Sequence, residues 1–122
     1  MDARLREGIS LFNSARYFEC HNVLEAFYHE TEDENKAFIE GLIGLAAAFR
    51  LFCDFGEVKG PVRMIYQALI RLENYQPVFL QVRVDELFRA VEAWAKAAES
   101  AGAKPAVATI PKIHYQRFSF FS

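Results

Sequence analysis

Phe38-Ile39-Glu40-Gly41-Leu42-Ile43-Gly44-Leu45-Ala46-Ala47-Ala48-Phe49-Arg50-Leu51-Phe52-Cys53-Asp54-Phe55 is the longest apolar run in the chain. Its reading decides the fold. Glu40, Arg50 and Asp54 interrupt it, and it falls short of the roughly 20 apolar residues that span a bilayer. Apolar nearly all round, it reads as a helix over about Glu34 to Asp54 that sits in the middle of a helical fold. Gly41, Gly44 and Ala48 line one side, where small residues let a neighbouring backbone come close at a cost in helix propensity.

The stretches on either side follow the same period. Leu5, Ile9 and Phe12 mark a first helix, with Asn13 and Ser14 as a tight turn. Tyr17, Cys20, Leu24, Phe27 and Tyr28 share one side of a second, running to about Glu30. Thr31 and Glu34 form a Thr-x-x-Glu capping signature, with Asp33 as a competing cap. Gly56 stops the central helix, and Gly60-Pro61 starts a fourth carrying Val62, Ile65, Tyr66, Leu69 and Leu72. Gln76-Pro77 ends that one. Val78 to Val84 alternates apolar and polar residues and reads as an extended linker, not as a strand in a sheet. Asp85 caps a fifth helix through Leu87, Phe88, Val91, Trp94, Ala95 and Ala98, which Gly102 terminates.

The expectation is an all-α, compact antiparallel bundle of about five helices, in tetratricopeptide-like hairpins, over residues 1–104. No sequence repeat near 34 residues supports a true repeat array. Residues 105–122 form an extended tail rich in aromatics (Tyr115, Phe118, Phe120 and Phe121, beside His114), too apolar for a free solvated end. It packs on the domain or on a partner subunit.

Composition narrows the function classes. The 122 residues are the size of one domain, and 52% hydrophobic with 25% charged is ordinary globular composition. Twelve Phe and five Tyr supply the volume for a core without staples. A net charge of −2 and an isoelectric point of 5.9 argue against nucleic acid as the default partner. Arg4, Arg6 and Glu7 break any apolar leader, and Cys20 and Cys53 lie in apolar stretches. The expectation is therefore a cytoplasmic protein with buried thiols and no membrane span.

Polar chemistry concentrates on the second helix. His21 and Glu25 are four apart and stack on one face, with His29 a further turn on. Three readings compete. In the favoured one, Glu25 accepts a hydrogen bond from the His21 ring and tidies a half-buried helix edge. In the second, His21, Glu25 and His29 are weak metal ligands, with Glu40 the available donor from another helix. In the third, Glu25 orients His21 as a general base for hydrolysis, which needs a nucleophile and an oxyanion hole that the sequence does not display. No Gly-rich phosphate loop, Cys-pair zinc spacing or nucleophile elbow is present, so no cofactor is expected. Arg63, Gln67 and Arg71 make a polar strip on the fourth helix, read as a solvated face.

Taken together, Leu11-Phe12-Asn13, Tyr17-Phe18-Glu19-Cys20-His21-Asn22-Val23-Leu24-Glu25 and Phe38-Ile39-Glu40-Gly41-Leu42-Ile43-Gly44-Leu45-Ala46 resemble the domain of unknown function 309 family. The likeness spans about Leu5 to Ile113. Leu72-Glu73-Asn74-Tyr75-Gln76-Pro77 and Pro111-Lys112-Ile113 are similar to its cyanobacterial and plastid members. The resemblance implies a compact bundle of helical hairpins and no established activity. Asn22, Tyr28, Glu40 and Gly44 depart from the family pattern, so any polar site the family shares is thinned here. The leading reading is a non-catalytic helical domain that binds a partner protein or forms a homo-oligomer such as a dimer. The alternative is a metal-dependent hydrolase or small-ligand-binding protein centred on His21 and Glu25, drawing on Asn13 and Glu40.

Overall fold

The computed structural model describes residues 1–100, 105–106 and 109–116. Among the described residues, five α-helices carry the fold: α1 (Ala3–Asn13), α2 (Tyr17–Glu30), α3 (Asp33–Phe55), α4 (Lys59–Leu72) and α5 (Val84–Ser100). Each packs mainly on its neighbours in sequence, so the chain is an all-α bundle with α3 at its centre between α2 and α4. No described helix is long and apolar enough to cross a membrane.

The glycines of α3 explain its central place. A Cβ built on Gly41 would lie 2.8 Å from Leu72 Cγ and Cδ2, so only a bare Cα lets α4 come this close. One turn on, Gly44 has Ala68 Cβ at an ordinary 3.4 Å. Phe38, Ile39, Leu42, Leu45, Phe49 and Phe52 of α3 are buried as well. Phe49 and Phe52 meet the Trp94 ring edge-on at centroid distances of 5.1 and 5.0 Å, which brings α5 onto the same core.

Several element ends differ from the sequence expectation. Glu32, in extended backbone, precedes α3, and neither Thr31 nor Asp33 caps it. Thr31 closes α2 instead, and its hydroxyl accepts from Asn35. Asp33 and Glu34 fall in the first turn, where carboxylates favour the positive end of the helix. Gly56 ends α3 in the left-handed conformation, with φ 68°. Helix α4 opens at Lys59, two residues before Pro61, and closes at Leu72; a 3-10 turn over Glu73–Tyr75 then leads to a cis Gln76-Pro77 bond.

The segment Val78 to Val84 is a hairpin, which corrects its reading as a linker. Strands β1 (Val78–Phe79) and β2 (Val82–Arg83) pair antiparallel through a two-residue turn at Leu80 and Gln81. Both turn residues have positive φ, 47° and 70°, as a type I′ hairpin demands. Neither is the Gly or Asn that advertises such a turn, which is why the sequence concealed it.

From Thr109 to Gln116 the chain returns across the bundle. The Trp94 indole N–H donates to the Thr109 hydroxyl at 3.1 Å, Ile113 is buried, and Val82 and Tyr115 form an antiparallel bridge. Gly102, Phe118, Phe120 and Phe121 lie outside the described residues.

Candidate functional site

The outer seam between α2 and α3 gathers most of the sequence candidates. Phe18, His21, Glu25 and Tyr28 recur at three- and four-residue spacing along α2, and Glu40, Ile43, Ala47 and Arg50 do so along α3. Two contacts fix the antiparallel register. The Tyr28 hydroxyl donates to Glu40 Oε1 at 2.7 Å, and the Arg50 guanidinium stands 4.5 Å from the Phe18 ring centroid. Between these ends, Glu25 is level with Ile43 and His21 with Ala47.

His21 Nδ1 lies 3.6 Å from Glu25 Oε2, an ion-pair distance too long for a hydrogen bond. The two side chains are 33% and 53% exposed, so solvent screens them. Both belong to α2, so their contact joins no two helices. His29 is exposed and meets the Tyr28 ring edge-on at 5.5 Å. Among the described residues, no three of His, Cys, Asp and Glu are grouped as a metal ion would require.

Glu40 is committed elsewhere. Its Oε1 takes the Tyr28 hydroxyl and its Oε2 takes Arg71 Nε at 3.1 Å, tying α2 and α4 to α3. The Tyr28 hydrogen bond first, and Arg71 second, hold its carboxyl below the usual range, while partial burial opposes them. The same hydrogen bond raises the Tyr28 phenol. The polar strip of α4 is thus partly a structural tie through Arg71.

Asn13 stands at the end of α1, where its carboxamide holds the backbone of Ile113. The sequence candidates therefore divide into three places: Asn13 at the end of α1 against the returning tail, His21 with Glu25 along α2, and Glu40 between Tyr28 and Arg71. The two thiols differ as well. Burial pushes Cys20 up to about 12, and half-buried Cys53 is raised by burial and by neighbouring Asp54. A low-pKa nucleophile is absent from both positions.

Sequence reasoning missed an exposed aromatic cluster at the other end of the seam. Phe18 and Phe55 are 49% and 62% exposed, and the Arg50 guanidinium stands over both rings, 4.5 and 6.0 Å from their centroids. Arg50 Nε is buried without a hydrogen-bond partner, since Asp54 Oδ2 at 3.5 Å is not placed to accept. The i, i+4 spacing of Arg50 and Asp54 and the terminal place of Phe55 were readable, but not their meeting with Phe18.

Residues 5–64 match the family model described as Domain of unknown function (DUF309). The chain belongs to that family through this segment, which covers α1, α2, α3 and the start of α4. No curated protein and no solved structure matches the chain.

Proposed function

We propose that this chain is a non-catalytic helical domain that binds a partner protein or a second copy of itself through the Phe18–Arg50–Phe55 cluster. The observation that carries the reading is two large aromatic rings left 49% and 62% exposed around the Arg50 guanidinium. Aromatic and arginine side chains dominate binding energy at interfaces, and here both kinds share one exposed patch. The α1–α2 and α3–α4 hairpins, read as tetratricopeptide-like, supply the rigid scaffold. A cytoplasmic setting and kinship with cyanobacterial and plastid members belong to the same reading.

The alternative, a metal-dependent or small-ligand activity at His21 and Glu25, draws less support. Glu40 is held by two other side chains, Asn13 is held by Ile113, and no described third donor joins the pair.

Sedimentation and affinity capture with the intact chain and a Phe18→Ser/Phe55→Ser variant test the proposal together. The expected result is a homo-oligomer, or a specific retained protein, that the double variant loses while its helical content and melting temperature stay the same. A monomer at all concentrations, with the same retained proteins for both chains, overturns it.

A further inference from the structure

The returning segment is a strand edge only half used. On one side it pairs with β2: the Arg83 N–H donates to the His114 carbonyl at 2.9 Å, and the Gln116 N–H to the Gln81 carbonyl at 2.7 Å. Alternation along an extended chain turns the N–H and C=O of residues 113 and 115 to the opposite side. At Ile113 the Asn13 carboxamide occupies both, as a neighbouring strand would. At Tyr115, the next rung, neither backbone group has a partner among the described residues. An open rung beside a filled one is a template for a further strand.

A groove of about 730 Å³ runs between this edge and α1, with Ile9, Leu11 and Tyr115 in its lining and Arg6 and Lys112 both on its walls. Neither cation has a carboxylate within ion-pair distance among the described residues, and Glu7 is the one acid of the lining. The contrast lies two residues from Arg6, on the opposite side of α1. Arg4, on the wall of a smaller depression of about 430 Å³, is paired with Glu30 at 2.8 Å and Asp2 at 3.6 Å.

We propose that this groove takes an extended, acidic segment of a partner protein, which adds a strand along Tyr115 and sets its carboxylates between Arg6 and Lys112. The main-chain rung gives register, and the unpaired cations give the preference for acid. The proposal rests on the interaction reading above but uses a different face of the molecule.

The probe is a capped hexapeptide of alternating glutamate and isoleucine, titrated into the whole ¹⁵N-labelled chain at low salt. Its lysine–isoleucine counterpart and a copy N-methylated at alternate amides serve as comparisons. The expected result is a shift of the Tyr115 and Lys112 amides with the glutamate peptide alone. The Arg6→Glu/Lys112→Glu variant weakens that binding on the order of tenfold and accepts the lysine peptide instead. N-methylation removes it. Shifts confined to Phe18 and Phe55 overturn this proposal and leave the interaction reading standing. Equal shifts with all three peptides, or none, overturn it. So does a Tyr115 amide that shifts with protein concentration or is already protected from exchange without peptide, since a second copy or residues 117–122 would then fill the edge.

Discussion

The carboxamide of Asn13 and the backbone of Ile113, 100 positions apart, close a ring of two hydrogen bonds. Asn13 Nδ2 donates to the Ile113 carbonyl at 2.8 Å, and the Ile113 N–H donates to Asn13 Oδ1 at 2.7 Å. Removing the amide leaves a half-buried N–H and C=O without their partner. Asn13→Ala is therefore expected to cost about 1–3 kcal/mol in denaturant unfolding. Asn13→Asp keeps the acceptor, loses the donor, and falls between. Hydrogen exchange at the Ile113 amide is the sharper readout: unchanged protection in Asn13→Ala would show that the clamp holds nothing.

Two neighbouring glycines in α3 are expected to respond in opposite directions. Gly41→Ala drives a methyl into Leu72 and destabilises by about 1–2 kcal/mol, even after alanine's better helix propensity. Gly44→Ala meets Ala68 at an ordinary distance and is neutral or stabilising by up to about 1 kcal/mol. Thermal unfolding of both variants checks the order, and equal effects would contradict the close packing of α4 on Gly41.

The tie through Glu40 predicts a pH signature. Its carboxyl is lowered in the folded state, so its contribution is complete above the unfolded carboxylate value, about 4.3, and is lost as pH falls through the lower folded value. Melting temperatures of the parent chain and Glu40→Gln should differ at neutral pH and converge in acid. A gap that stays constant as the pH is lowered through the carboxylate range would show that the charge plays no part.

His21 and Glu25 are expected to matter little to stability. A partly exposed i, i+4 pair at 3.6 Å is worth about 0.2–0.5 kcal/mol, so a double-mutant cycle with alanine at both should give a coupling in that range. A coupling above about 1.5 kcal/mol would mean that the pair is more than a helix edge.

The thiols should separate kinetically. Cys20 is buried with its pKa pushed up to about 12, so a disulfide reagent at about pH 8 reaches it only as the chain unfolds. Half-buried Cys53 reacts first in the native state. Simultaneous modification of both would place Cys20 nearer solvent than its packing allows.

Helix number and type were legible because a 3.6-residue period is a local property. Phe38 to Phe55 announced a central helix, and Gly56 its end, since a left-handed residue there costs glycine least. Gly41 and Gly44 signalled a close approach, though not which partner would fill it. The Leu80–Gln81 turn was hidden because positive φ is held there by strand pairing, not by a residue that prefers it. The candidate site suffered most. His21 and Glu25 were correctly stacked on one helix face, yet their relation to Glu40 depended on how α3 is rotated and shifted against α2 and α4. That rotation follows from packing: Gly41 against Leu72 sets α4 so that Arg71 reaches the Glu40 carboxylate, and the separate packing of α2 on α3 brings Tyr28 to it. By itself, then, the sequence determined the helices and their apolar faces. Tertiary structure alone decided which polar groups meet, because hydrogen bonds and ion pairs across helices act over a few ångströms and are set by packing between residues far apart in the chain.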